Sequence, residues 1–260
     1  MIDAALAEKY PNIKLEWECV DWGNDFQPKM QVYMQSGLPD IMIGKAQDVS
    51  TYGSLGLLAD LTDKPYMDNI LDAAKTGVTL DGKVMGMTFN CLYQGVYYSR
   101  AIFEDLGLSV PKTLEELDAV IATLEENGII PFASHMVDTW SIGNVTMQFA
   151  VNDVFNKYPT WGDAMKVSGS WSIQNFLDID ENYDFGIFPF PNQTGDAKLL
   201  FEPNITFMAS AQSEYQDAID KVFEVIATDA ALQQEIYDYT KTAPMVKGVT
   251  PTFPNPSQTD

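Results

Sequence analysis

Five tryptophans and a scatter of carboxylates and amides are the residues of this chain best suited to chemistry. Trp171 closes Gly169-Ser170-Trp171, just past the strand-like run from Ala164. Bulk is not needed there for a core, so stacking on a ligand outweighs ordinary packing. Trp140 follows Asp138 in a loop, and Trp22 stands in the polar stretch Asp21-Trp22-Gly23-Asn24-Asp25; both fit a cleft or a packing role equally. Trp17 and Trp161 are expected to be structural. Gln47, Asp48, Asn90, Tyr93 and Asp138 also lie in segments that read as loops. Aromatic rings lie flat on apolar C–H faces, carboxylates accept hydrogen bonds, and amides both donate and accept. Such a set grips a polar solute. It is poor equipment for catalysis: no GxSxG, HExxH, P-loop or GxGxxG occurs. With 37 acidic residues, two carboxylates at plausible positions carry no information. His135 is the single histidine and reads as a satisfied structural residue. Cys19 and Cys91 form no CxxC pair and are expected to be free, buried thiols.

Charge narrows the ligand. The formal net charge is −22, which repels phosphate backbones and anionic lipid and argues against nucleic-acid and membrane-surface partners. Arg100 is the sole arginine. Two-pronged recognition of carboxylate or phosphate normally uses arginine, so a neutral polar ligand is favoured over an anion. No apolar run approaches the roughly 20 residues of a membrane-spanning helix. Met1 leads straight into helical sequence without a leader.

The elements that position these residues alternate between helix and strand, which places the chain in the α/β class. Helices are predicted over residues 2–10, 26–35, 66–74, 101–106, 114–126, 144–155, 215–228 and 230–239. Strands are predicted over 13–20, 41–43, 84–89, 95–99, 129–133, 164–169, 183–190 and 204–209. Gly37 and Pro39 end one helix before the strand Ile41-Met42-Ile43, and a polar loop follows it. Ligands of open α/β sheets collect at such strand ends. Asp81-Gly82 supports a hairpin turn. Thr113 with Glu116 forms a capping box. Residues 90–94 read as a loop where the chain crosses between lobes, and a second crossing is expected near 190–202. The tail from Val249 is expected to be poorly ordered.

Several runs occur in a fixed order along almost the whole chain. They are Ala7-Glu8-Lys9-Tyr10-Pro11-Asn12-Ile13, Ser36-Gly37-Leu38-Pro39-Asp40-Ile41 and Gly56-Leu57-Leu58-Ala59-Asp60-Leu61, then Gly95-Val96-Tyr97-Tyr98-Ser99-Arg100. Further on come Pro111-Lys112-Thr113-Leu114-Glu115-Glu116, Ala164-Met165-Lys166-Val167-Ser168-Gly169-Ser170-Trp171 and Phe188-Pro189-Phe190-Pro191. With them the chain resembles the extracellular solute-binding proteins of ABC transporters, in the sugar and oligosaccharide group that includes maltose-binding protein. The resemblance implies a two-lobed periplasmic-binding-protein-like fold with discontinuous lobes joined by a hinge. The N-terminal lobe would comprise 1–91 and 201–243, and the C-terminal lobe 92–200 and 244–260. It implies a monomeric, non-enzymatic receptor without cofactor that captures a neutral sugar or oligosaccharide and docks on a permease. It implies an extracytoplasmic place, as a lipoprotein or in the periplasm, with a leader outside this sequence. An aromatic sugar platform is implied at Trp171, hydroxyl-binding groups at Gln47 and Asp48, and cleft-wall residues at Asn90 and Tyr93. The chain departs from the family by lacking a first strand before the first helix, by abutting segments near 162–163, and by few helices past Pro244, as a truncated version would. Two rivals stand beside this reading. One is a carbohydrate-active enzyme. The other is a receptor of the same build for a polyol, a glycerol phosphodiester or iron, the last because Tyr97-Tyr98 could ligate a metal; adjacent strand residues point to opposite faces, which argues against it.

Overall fold

The computed structural model describes residues 1–20, 26–132 and 185–249. Contacts divide the chain into two compact units, Met1–Cys91 with Pro203–Pro251, and Leu92–Glu202 with Thr252–Asp260.

The first unit begins with α1 (Ile2–Lys9), α2 (Phe26–Ser36), β1 (Ile41–Lys45) and α3 (Asp48–Ser54). A 3-10 turn (Pro65–Asn69), α4 (Asp72–Thr76), the hairpin β2 (Thr79–Leu80) with β3 (Lys83–Val84), and β4 (Met87–Thr88) follow. Asp81 and Gly82 take φ of 51° and 78°, the positive values that a tight two-residue hairpin turn requires. After β5 (Asn90–Gln94) the chain is in the second unit, which holds β6 (Val96–Ser99), α5 (Arg100–Asp105), α6 (Leu114–Glu126) and β7 (Phe185–Phe188). It returns along β8 (Leu200–Pro203) into β9 (Ile205–Ala209), α7 (Gln216–Thr228), α8 (Ala230–Thr240) and β10 (Ala243–Pro244).

In the first unit β9 is the middle strand of the order β1-β9-β4, antiparallel to both neighbours, with Ile43 and Met87 opposite Phe207. Successive side chains of a strand face opposite sides, so this sheet feeds two cores. Ile41, Ile43, Phe207 and Ala209 pack with Leu6 of α1 and with Ile219, Val222, Phe223 and Ile226 of α7. Those four α7 positions follow the i, i+3, i+4, i+7 spacing of one helical face. Phe223 meets Tyr66 and Phe207 edge-on, with ring centroids 5.9 and 6.2 Å apart. Met42 and Met208 face the other way, onto Met30 of α2 and Val49 and Tyr52 of α3. The Tyr52 phenol is 3 % exposed and its pKa is pushed up to about 12, first by burial and then by the negative charge of Asp48.

In the second unit β6 pairs antiparallel with β7, with Tyr98 opposite Gly186. The Tyr98 ring lies 4.5 Å from that of Phe103 and 5.7 Å from that of Phe188, and α6 adds Val120 and Leu124 to this core. Gly186 has no room for a side chain, because a Cβ there would overlap the Tyr98 ring. α6 starts at the expected capping box: Thr113 Oγ1 accepts from Glu116 N–H at 3.2 Å, and Glu116 accepts from Thr113 N–H at 3.2 Å and Lys112 N–H at 2.6 Å. These backbone donors hold the Glu116 carboxyl below its ordinary pKa.

Several expectations are corrected. Residues 13–20 form no strand and join no ladder among the described residues; Ile13 and Leu15 reach the main core, Trp17 is 48 % exposed with its indole N–H on Asp3, and Cys19 is exposed while Cys91 is buried. Alternation marks a half-covered extended segment, and a ladder also needs a neighbour that the local sequence does not name. The helix expected over 66–74 breaks where Ile70 bridges Val246. Residues 90–94, expected as a loop, form β5, paired with β10. The strand expected over 129–133 is absent from 129–132: Gly128 (φ 71°) turns the chain so that Ile129 N–H donates back to Leu124 C=O, and Ile130 is exposed. The expectations at Trp161, His135, 144–155 and 164–169, and on the tail from 250 onward, lie outside the described residues.

Three outcomes are expected. Gly186→Ala forces the Tyr98 ring out of its place and costs roughly 1–3 kcal/mol in chemical denaturation, the usual range for overpacking. Thr113→Ala removes the cap of α6 and costs about 1 kcal/mol by the same measurement. Because the unfolded phenol titrates near pH 10 and the folded Tyr52 near 12, its stabilising contribution is full below pH 10 and is lost as pH rises toward 12. Tyr52→Phe flattens that alkaline fall by up to roughly 2 kcal/mol, read from urea midpoints at pH 9 and 12.

Candidate functional site

Three of the sequence-predicted residues, Gln47, Asp48 and Asn90, lie in the first unit near the C-terminal end of β1. Gly44 lets α3 start against the strand: a Cβ there would lie 2.7 Å from both Asp48 Oδ2 and Met208 Cε. Asp48, the first residue of α3, accepts from Lys45 N–H at 2.7 Å. A carboxylate at a helix start is favourably placed against the helix dipole. Gln47 precedes it and is exposed. The Lys45 ammonium donates to Asn204 Oδ1. Asn204 N–H donates to Asn90 C=O at 3.0 Å. The Asn90 side chain is buried; its Oδ1 accepts from Ile205 N–H at 2.9 Å and its Nδ2 donates to Thr242 Oγ1 at 2.8 Å. Beside it the hydroxyls of Thr88 and Thr206 share a buried hydrogen bond of 2.9 Å.

The structure therefore links Asp48 and Asn90 through Lys45 and Asn204. Those two, with Thr242, were not singled out from sequence. Lys45 carried a usable signal, a cation at the polar end of an apolar strand; Asn204 and Thr242 gave none, because their partners lie 114 and 152 residues away in the chain (204 less 90; 242 less 90). Tyr93 lies in β5, where only its backbone is described. Trp22, Asp138, Trp140 and Trp171 lie outside the described residues.

Chemically, this strand end offers amide, hydroxyl, ammonium and carboxylate groups suited to multiple hydrogen bonds. Among the described residues no three His, Cys, Asp or Glu side chains gather as a metal site. Tyr98 is committed to its ring cluster. A surface depression of about 380 Å³, bordered by Asn12, Ile13, Tyr215 and Lys221, includes none of the predicted site residues. No helix among the described residues is long and apolar enough to cross a membrane.

The sequence profile of the bacterial extracellular solute-binding proteins matches residues 1–233. The multiple sugar-binding protein of Streptococcus mutans is 20% identical over 83% of this chain and 64% of its own length. The melibiose/raffinose/stachyose-binding protein MelE of Bacillus subtilis is 28% identical over 49% of this chain and 31% of its own. The chain thus spans less than two thirds of the length of these curated relatives. Among solved structures, RafE in complex with raffinose superposes with a TM-score of 0.83 at 19% identity, covering 97% of this chain and 79% of that one. The apo form of RafE from Streptococcus pneumoniae gives 0.80 at 18% identity, covering 98% of this chain and 79% of that one. At such identities the likeness establishes the fold, the mixed α/β periplasmic-binding-protein fold. With a family profile matched over most of its length, the chain belongs to the bacterial extracellular solute-binding proteins, a family of receptors and not of enzymes.

Proposed function

We propose that this chain is the solute receptor of an ABC importer and that it captures a neutral sugar or oligosaccharide outside the cytoplasm, as a cell-surface lipoprotein or in the periplasm. The observation that carries the reading is membership of the solute-binding family over residues 1–233, together with relatives named as sugar-binding proteins. The charge balance agrees with it. A net charge of −22 with one arginine suits an uncharged ligand better than a phosphate or carboxylate. Gln47 and Asp48 would bond sugar hydroxyls at the end of β1, with Asp138 and Tyr93 as further polar contacts. Trp171, Trp140 and Trp22 would supply the flat apolar faces that sugar rings stack on. A wrong sugar would leave buried acceptors unpaired at about 1–3 kcal/mol each, which is where selectivity arises. Two lobes close on the ligand by a hinge, because a ligand touching both binds the closed state better than the open one. The closed form then docks on the permease.

A thermal-shift screen across raffinose, stachyose, shorter sugars, polyols, glycerol phosphodiesters and iron salts tests this reading. A binding sugar at 100 times its Kd adds about 2.7 kcal/mol of stability. Trp171→Ala is expected to abolish that shift and leave the melting temperature without ligand nearly unchanged. A shift given by iron or a phosphodiester and by no sugar overturns the proposal, as does release of product from an oligosaccharide.

A further inference from the structure

The buried amide of Asn90 does more at the crossing point than line a wall. The chain passes between its units at 91/92 and again at 202/203. Asn90 lies one residue inside the first unit on the outward pass, and Asn204 and Ile205 lie just inside it on the return. Asn90 C=O takes Asn204 N–H at 3.0 Å, and Asn90 Oδ1 takes Ile205 N–H at 2.9 Å, so one residue holds two successive amides of the returning strand. Its Nδ2 donates to Thr242 Oγ1 at 2.8 Å, reaching a third segment. That segment also pairs Ala243 with Cys91 and Pro244 with Asn90. Thr242 is steadied by Thr240, their hydroxyls 2.7 Å apart. Asn90 and Thr242 are 3 % and 5 % exposed, so water competes poorly for these bonds. A neutral side chain that both accepts and donates is required here: Asp cannot donate and would bury a charge, and Leu can do neither.

We propose that Asn90 is a positioning residue that pins the two crossing strands to each other and to the 240–245 segment, so that closure on ligand bends the chain beyond the pin, in β5 and β8 past residues 91 and 203. This rests on the two-lobe receptor reading above. The pin holds the crossing strands in the one arrangement from which productive closure starts. Without it only a fraction of the molecules is competent to close, and the apparent affinity falls by that fraction. Asn90 then governs binding through Thr242 and Ile205, without itself touching the sugar.

The test compares the whole chain with Asn90→Ala, Thr242→Val, the double variant and Thr242→Ser. Amide hydrogen exchange, which needs no ligand, is read over residues 200–206, β1 and α7. Asn90→Ala keeps the main-chain carbonyl that takes Asn204 N–H and removes the Oδ1 that takes Ile205 N–H, so it is expected to speed exchange at Ile205 at least tenfold and leave β1 and α7 at wild-type rates. Unchanged exchange at Ile205, or a rise spread evenly over the first unit, overturns the pin. Raffinose titration calorimetry gives the second readout. Asn90→Ala and Thr242→Val are each expected to weaken binding by about fivefold to tenfold, the double variant no more than the weaker single, and Thr242→Ser to bind as wild type. If Asn90→Ala weakens binding and Thr242→Val does not, Asn90 meets the sugar directly and the positioning role falls. Absence of heat with raffinose in the wild-type protein removes raffinose as the ligand, the titration is then made with the sugar that gives the thermal shift, and the exchange measurement decides the pin either way.

Discussion

The pairing of β9 with β1 on one side and β4 on the other is the constraint from which the first unit follows. Residues 205–209 lie more than a hundred positions from either partner, yet the register Ile43 and Met87 against Phe207 fixes which side chains face which layer. A slip of one residue would exchange Phe207 and Ala209 for Met208 and turn both cores inside out. With the register set, α1 and α7 close one face and α2 and α3 the other, around the two aromatic and methionine-rich clusters. Hydrophobic burial supplies the drive, and the hydrogen-bond ladder supplies the uniqueness.

The same pairing creates the polar strand end. Because β9 runs antiparallel to β1, its first residues lie beside the last residues of β1. Asn204 therefore meets Lys45, and the return of the chain past residue 203 brings Ile205 to Asn90. The groups gathered there include amides, hydroxyls and one ammonium, with Asp48 closing the turn into α3.

Much of the local structure was legible because its causes are local. The capping box of Thr113 and Glu116, the Asp81-Gly82 turn, and the break at Gly37 each depend on a few neighbouring residues. The helix expected over 215–228 is α7. The failures share another cause. Residues 90–94 mix polar and apolar side chains without a strand pattern, and become a strand by lying between β10 and β8 in one sheet. Residues 66–74 have helical spacing, but the bridge from Ile70 to Val246 interrupts them. Residues 13–20 alternate correctly and still join no ladder among the described residues, since alternation reports a covered face and says nothing of a neighbour.

For the candidate site the division is similar. Residue type and the polar run after β1 directed attention to Gln47 and Asp48, whereas Asn90 was read in a loop and lies in β5. That Asp48 and Asn90 belong to one network through Lys45 and Asn204 was decided by tertiary structure alone. Sequence by itself determined the class, the elements bounded by clear caps and turns, and the charge character, because propensity, capping and composition act within a few residues or over the whole chain at once. Tertiary structure decided which distant amides meet, because a hydrogen bond of 2.9 Å between residues 90 and 205 depends on strand register and on burial that only the folded chain creates.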